Sequence, residues 1–233
     1  MKTESLKELD QAVTILTDTP TDLSHAKEDI LKAIEHIKSA VFMETPTPKG
    51  AFNLYDYVSD DKYRPTMNGV YHDGGFMVAT DSHVLVAIKS DYDKENEGKS
   101  IGKDGRVIVG KYPTWRSVVP EDNLHAHTVH TIDTAKVYEL VKRVKAENKL
   151  AGRYGVKKMG IVKVGDTFFN VDNFAKMSRF LDHYGIKEVN TFGERRPTKV
   201  VAPDGSICIL MPVMIYAKRW ENEEPDYLGL EFA

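Results

Sequence analysis

Cysteine is almost absent from this chain of 233 residues, since Cys208 is the only one. A single cysteine excludes an internal disulfide and favours a reducing compartment. No uninterrupted apolar run approaches the roughly 18 residues that a membrane-spanning helix needs, and the acidic residues near the start leave no apolar core for a secretory signal. We therefore expect a cytoplasmic protein that makes no contact with membranes.

The motifs of several enzyme classes are also missing. The sequence has no Gly-x-Ser-x-Gly motif and no glycine-rich phosphate loop. Asp81-Ser82-His83 contains the residue types of a catalytic triad, but consecutive residues of a strand alternate between its two faces and cannot converge. Cys208 lies in an apolar run, where burial is expected rather than nucleophilic chemistry. We therefore predict a protein that is not an enzyme.

Histidine supplies the one candidate metal site in the sequence. His125 and His127 would share a face if their segment is a strand, but no cluster of carboxylates or cysteines accompanies them. A solvated connector is therefore favoured over a metal site. A metal-dependent hydrolase using these two histidines ranks only third among the functions considered, and we expect no cofactor and no metal.

The amino-acid composition is that of a globular protein, with 41% hydrophobic and 29% charged residues. The length of the chain suffices for one large or two small domains. The net charge of −3 is unevenly distributed: it is −7 over residues 1–100, +8 over 101–200 and −4 over 201–233. Four cations of the basic middle are predicted to project from one helix, where contact with DNA phosphates and a simple solvated face both remain open. They are Lys136, Lys142, Arg143 and Lys145.

Hydrophobic periodicity predicts an α+β fold with antiparallel sheets. The predicted helices cover about 26–42, 133–147 and 172–184, with a further short one within the first 20 residues. Strands are expected between 51 and 119, and at about 159–164, 187–192, 198–202 and 206–216. The polar stretch 90–105 is predicted to be a surface loop, and the last ten residues a loose acidic tail.

Three segments carry a resemblance to a known family. They are Tyr63–Val70 with the following Val78–Val86, Gly110–Pro120, and Ile209–Ile215. In this order they resemble the bacterial DNA polymerase sliding clamp, the ring-forming beta subunit, which has an Arg-Pro-x-x-x-Gly-Val run, a Thr-Asp-Gly-His strand, a Gly-Arg-Phe-Pro linker and a terminal Met-Pro-Met strand. The likeness covers about residues 24–216, and it implies a DNA-clamp-like fold with amphipathic helices packed on one face.

The resemblance also implies a site. In the family the three segments converge on a hydrophobic pocket that binds short peptides of polymerases and repair factors. An apolar groove with a flexible methionine and a proline suits peptide binding as well, although ordinary core strands are the alternative. Carried over by position, the peptide-binding residues would be Thr80, Ser82, His83, Leu85, Pro113, Val118, Ile209, Met211, Pro212 and Val213.

The chain also departs from the family pattern. Clamps have three domains, whereas this length suffices for two at most. Residues 1–23 are interpreted as an N-terminal extension, 24–122 as a shortened clamp-like domain, 123–220 as a second one and 221–233 as an acidic tail. Four family residues are replaced, a glycine, two arginines and a methionine; the replacements are Ser82, Val84, Ser117 and Val213.

These observations favour a non-enzymatic, sliding-clamp-like accessory protein of DNA replication or repair. Its expected partners are peptides of DNA polymerases or repair proteins and, non-specifically, double-stranded DNA. The alternative is a clamp-derived protein-interaction domain that never touches DNA. A monomer is expected in solution, with a closed ring of three copies as the other possible assembly.

Overall fold

The computed structural model describes residues 52–120, 128–153, 155–193, 195–214 and 227–232, together with Ile30. Its first half contains five strands: β1 (Gly69–Asp73), β2 (Phe76–Thr80), β3 (Val84–Lys89), β4 (Ser100–Gly102) and β5 (Val107–Ile108). Short 3-10 turns lie around them, at Leu54–Asp56, Pro65–Asn68, Lys94–Asn96 and Trp115–Val118.

The second half adds two helices and seven strands among the described residues. The helices are α1 (Thr134–Leu150) and α2 (Val171–Tyr184). The strands are β6 (Thr128–Thr131), β7 (Met159–Val164), β8 (Thr167–Asn170), β9 (Glu188–Thr191), β10 (Thr198–Val201), β11 (Ile207–Leu210) and β12 (Tyr227–Phe232). Neither of these two helices combines the length and the apolarity that crossing a bilayer requires.

The described strands form two sheets. The larger has nine strands in the order β5-β4-β1-β2-β3-β11-β10-β9-β6, and all its pairs are antiparallel. The smaller has the order β12-β7-β8, in which β12 runs parallel to β7. The pairing of β3 with β11 joins residues far apart in sequence, since Leu85 lies opposite Ile209. Strands from both sides of the predicted boundary at residue 122 thus share one sheet. The division into two domains stays a prediction.

Both helices begin at side-chain caps. The Asp133 carboxylate accepts a hydrogen bond from the backbone N–H of Ala135, and the Asn170 side chain accepts from Asp172 and Asn173. Such caps satisfy N–H groups that the first helical turn leaves without partners. The second helix ends at Gly185, whose φ of 65° requires the left-handed conformation that glycine adopts readily.

Alternating side chains bury both faces of the large sheet. On β3, Val84 and Val86 face the helices and join the main core, whereas Leu85 faces the opposite side. On β11, Leu210 belongs to the helix side and Ile209 to the opposite side. This period of two follows from strand geometry. The helices therefore cover one face of the sheet, and a smaller apolar cluster lies on the other.

The fold class predicted from the sequence is confirmed, and the helices expected at 133–147 and 172–184 correspond to α1 and α2. Three local predictions are wrong. The stretch 90–105 is not only loop, because Ser100–Gly102 pairs with β1 as β4. The strand expected over 206–216 ends at Leu210, just before Pro212, which cannot donate to a ladder. Residues 227–232 form β12 rather than a loose tail.

The helix expected over 26–42 lies outside the described residues, apart from Ile30. The short helix expected within the first 20 residues also lies outside them.

Candidate functional site

The three predicted segments meet at one cavity on the sheet face opposite the helices. We call this cavity of about 310 Å³ the groove. The β2–β3 turn contributes Thr80, Ser82, His83 and Leu85, and the end of β11 contributes Ile209 and Met211. The third wall comes from residues 110–118, which we call the linker segment. The linker segment contributes Pro113 and Val118. Eight of the ten residues predicted for the site therefore line the same cavity.

The floor of the groove is apolar and buried. Leu85 is 6% exposed and Ile209 1% exposed, and both belong to the smaller apolar cluster together with Met67. The rim is accessible: Met211 is 37% exposed and Val118 46% exposed. A buried floor beneath exposed apolar rim residues offers space in which a partner's side chain can lose its hydration.

The β2–β3 turn forms the polar end of the groove. Ser82 adopts a φ of 77°, a left-handed conformation that costs a non-glycine residue free energy. Its backbone N–H donates to the Thr80 hydroxyl at 3.1 Å, and its own hydroxyl accepts from the Arg64 guanidinium at 2.8 Å. The serine at this family glycine position is therefore held from two sides, and it brings Arg64 to the rim.

Asp81 ties this turn to α2. Its carboxylate accepts from the backbone N–H of His83 at 2.9 Å and of Val84 at 2.8 Å, and it pairs with the Lys176 ammonium at 2.5 Å. Burial alone would raise the pKa of Asp81, but the hydrogen bonds from Lys176, Val84 and His83 outweigh it and leave the pKa below its usual range. The ionised Asp81 carboxylate therefore stabilises the β2–β3 turn and links it to α2.

Two aromatic residues fix the linker segment on the sheet. The Trp115 indole N–H donates to the Asp73 carboxylate at 2.7 Å, and Asp73 also pairs with the Arg116 guanidinium. Arg116 in turn covers the Trp115 ring at 4.3 Å. Tyr112 stacks on Tyr71 with ring centroids 4.4 Å apart. These contacts hold the third wall of the groove in place.

The remaining residues of the prediction lie elsewhere. Pro212 and Val213 are not among the residues that line the groove, and the backbone N–H of Val213 donates to the Phe168 carbonyl on β8. Several residues that do line it were not assigned to the site from the sequence. They are Arg64, Met67, Val84, Tyr112, Thr114, Trp115 and Ser117. All seven lie within the segments that carry the family resemblance, and that position was the signal that could have found them.

The four cations predicted to contact DNA are all exposed on α1. Lys136 approaches Asp133 at 3.9 Å, whereas Lys142, Arg143 and Lys145 have no ion pair within the described part of the chain. Both cations of α2 are paired, Lys176 with Asp81 and Arg179 with Asp56. The unpaired positive charge of the helix pair is therefore concentrated on α1.

The described residues hold no group of three or more histidine, cysteine or acidic side chains arranged to bind a metal. His125 and His127 lie outside these residues. Cys208 is buried, as expected, and burial raises the pKa of its thiol.

Comparison with known proteins identifies the architecture. No protein-family model and no curated protein matches the sequence. Among solved structures, the beta sliding clamp of Caulobacter crescentus matches with a TM-score of 0.51 and 19% identity, over 70% of this chain and 62% of the clamp. The fold is that of a bacterial sliding clamp.

A protein from Eubacterium rectale assigned as a DNA polymerase III beta subunit matches similarly, with a TM-score of 0.50 and 14% identity over 78% of this chain and 64% of its own. The match therefore covers less than two thirds of either clamp. The clamp-like architecture expected from the three sequence segments is confirmed, and the identities are low enough that the likeness concerns the fold.

Proposed function

We propose that this chain is a non-enzymatic, clamp-like accessory protein of DNA replication or repair that holds partner proteins by short peptides bound in the groove. The observation that carries this proposal is the convergence of the β2–β3 turn, the linker segment and the end of β11 on one cavity. A concave, mostly apolar cavity with a few polar groups is typical of a ligand-binding site. The clamp fold of the chain supports the same role.

The shape and chemistry of the groove suit a peptide. Its volume of about 310 Å³ is at the small end of ligand sites and accommodates one or two large apolar side chains. Met211 is unbranched and partly exposed, so its side chain can adapt to different anchors. His83 is exposed and places a polar group at the rim, where it can bind a peptide backbone, whereas the expected rim residue Thr80 is buried and its hydroxyl already accepts from the Ser82 N–H.

Replacing Met211 with alanine is expected to weaken peptide binding by about 1–3 kcal/mol while leaving the fold intact. The loss follows from removing the rim residue that would cover a bound anchor, and a partly exposed residue contributes little to core packing. A displayed library of peptides with two adjacent large apolar residues supplies the tightest binder as probe, and fluorescence anisotropy measures its affinity.

The matched control is Met159→Ala. Met159 is 53% exposed on β7, outside the groove lining. This variant should bind the probe as the parent does. Two results would contradict the groove: a library without any binder, or a probe that binds Met211→Ala and the parent equally well.

DNA contact is the second part of the proposal, and a clamp-derived domain without DNA binding is its alternative. The unpaired cations of α1 favour contact with phosphates. Binding to duplex DNA is expected to be independent of sequence and to weaken steeply with salt. Replacing Lys142, Arg143 and Lys145 with glutamine should lower the slope of log affinity against log salt by up to about 3, because each neutralised phosphate contributes about 0.9 to that slope.

Anisotropy of a labelled duplex at low and moderate salt tests this expectation. A control variant carries glutamine at Lys62, Lys94 and Lys103, three exposed lysines outside α1, and removes the same charge. If both triple variants reduce the slope equally, net charge alone governs DNA binding and α1 is not the contact surface. If the parent shows no binding at low salt, the alternative without DNA binding is favoured. The monomer expected from the sequence stays a prediction, with a ring of three copies as the other possible assembly.

A further inference from the structure

A second cavity lies on the other side of the linker segment. It measures about 420 Å³, and we call it the side cavity. The groove and the side cavity share four lining residues, Tyr112 to Trp115, so they adjoin along this part of the chain. Pro113 and Thr114 are exposed between them. A peptide anchored in the groove can therefore continue across these two residues and reach the side cavity.

The lining of the side cavity carries an excess of positive charge. Asp73 is the one acid among the described residues that line it. Its carboxylate is already paired with Arg116 and accepts a hydrogen bond from the Trp115 indole. Lys111 is exposed and has no ion pair among the described residues. The residues that the structure describes around the groove include no acid. A partner with a negative charge beside its apolar anchor would therefore match both cavities.

Tyr112 provides an independent observation. Its side chain is 5% exposed and lines both cavities, and its hydroxyl is buried without a hydrogen-bond partner in the described part of the chain. Buried hydroxyl groups are nearly always bonded, because an unmet one costs free energy. A hydroxyl can donate to a carboxylate oxygen, and such a bond to a charged group is stronger than one to a neutral acceptor. Among the described residues, the Tyr112 hydroxyl is thus a donor without an acceptor.

We propose that the side cavity binds an aspartate or glutamate side chain of the same peptide whose apolar anchor occupies the groove. Lys111 supplies the compensating charge, and the Tyr112 hydroxyl donates to the carboxylate. This inference rests on the proposed peptide-binding function and specifies its partner: a short acidic peptide with an apolar anchor.

The test uses the library-derived probe, acetylated and amidated at its ends so that only side chains carry charge. Aspartate, and separately its neutral amide asparagine, is placed in turn at each of the four positions on either side of the apolar pair. At one of these positions the aspartate peptide should bind about tenfold more tightly than the asparagine peptide at low salt. The preference should shrink as salt is added, because Lys111 is exposed to solvent.

Two conservative variants assign the preference to the side cavity. Tyr112→Phe keeps the stacked ring and removes only the hydroxyl, and Lys111→Gln removes only the charge. Each should reduce the tenfold preference to about two- or threefold without changing the affinity for the asparagine peptide. Lys94→Gln, an exposed lysine outside both linings, should leave the preference unchanged.

The outcomes separate this inference from the function on which it rests. Equal binding of aspartate and asparagine peptides at all eight positions would overturn the acidic site while leaving the groove intact. A preference that survives in both Tyr112→Phe and Lys111→Gln would overturn it as well, because the carboxylate would then bind elsewhere. Failure of every peptide, neutral or acidic, would instead overturn the proposed function.

Discussion

Replacing Trp115 with alanine is expected to lower the free energy of unfolding by about 3–5 kcal/mol, the usual cost of truncating a large buried aromatic residue. Trp115 is 5% exposed, packs in the smaller apolar cluster and donates to Asp73. Its removal also leaves the Arg116 guanidinium without the ring that it covers. Peptide binding should disappear as well, because the linker segment then lacks the anchor that holds the third wall of the groove. Urea denaturation and peptide titration measure the two effects.

Two further variants serve as comparisons for Trp115→Ala. Trp115→Phe retains much of the apolar volume and removes the indole donor, so it should cost roughly 1–3 kcal/mol. Tyr63→Ala removes an aromatic residue that is 95% exposed and should change stability by less than about 0.5 kcal/mol. If Trp115→Ala unfolded at the same urea concentration as Tyr63→Ala, the anchoring role of Trp115 would be wrong.

Replacing Asp81 with alanine is expected to cost about 2–3 kcal/mol at neutral pH. The variant leaves two backbone N–H groups and the Lys176 ammonium without their acceptor. Breaking a fully buried ion pair costs more, but the Lys176 side chain keeps 24% of its exposure and water screens its charge. Asp81→Asn retains one oxygen for the backbone bonds and should be destabilised about half as much. Thermal melting of both variants checks the order.

The same carboxylate predicts a dependence on pH. Because the pKa of Asp81 is lower in the folded protein than in the unfolded chain, its stabilisation is complete above the unfolded value of about 4 and is lost as pH falls through the folded value. The difference in stability between the parent and Asp81→Asn should therefore shrink below about pH 4. Glu231→Gln breaks an exposed ion pair and serves as control, with little expected effect at any pH. A difference independent of pH would show that ionisation of Asp81 does not matter.

Regular elements with strong local patterns were predictable from the sequence. Helix α1 buries Val137, Leu140 and Val144 at helical spacing, and α2 has a capping asparagine before it and a glycine after it. Strands without such a pattern were missed. β4 has three residues including a glycine, and β12 owes its conformation to β7, more than sixty residues away in sequence. Pairing partners at that distance leave no trace in a local window.

The groove was predictable only in part, for a related reason. Leu85 and Ile209 belong to strands whose alternation is visible in the sequence, although nothing in the sequence alone states that they lie opposite each other. Tyr112 and Trp115 lie in an irregular segment where no periodicity distinguishes a buried aromatic residue from an exposed one. Val213 was expected at the site because it occupies the position of the last methionine in the family's Met-Pro-Met strand, but its backbone N–H donates to Phe168 of β8 instead.

The alternation along β3 and β11 limits how the proposed peptide-binding surface can diversify. The floor residues Leu85 and Ile209 are immediate chain neighbours of Val84, Val86 and Leu210, which pack against the helices. A change in their size would disturb both layers of the molecule. Tolerated variation in the proposed peptide site is therefore confined to exposed positions such as Val118 and Met211. Inhibitors of the proposed peptide binding that fill the floor would consequently contact residues that few mutations can change without loss of stability.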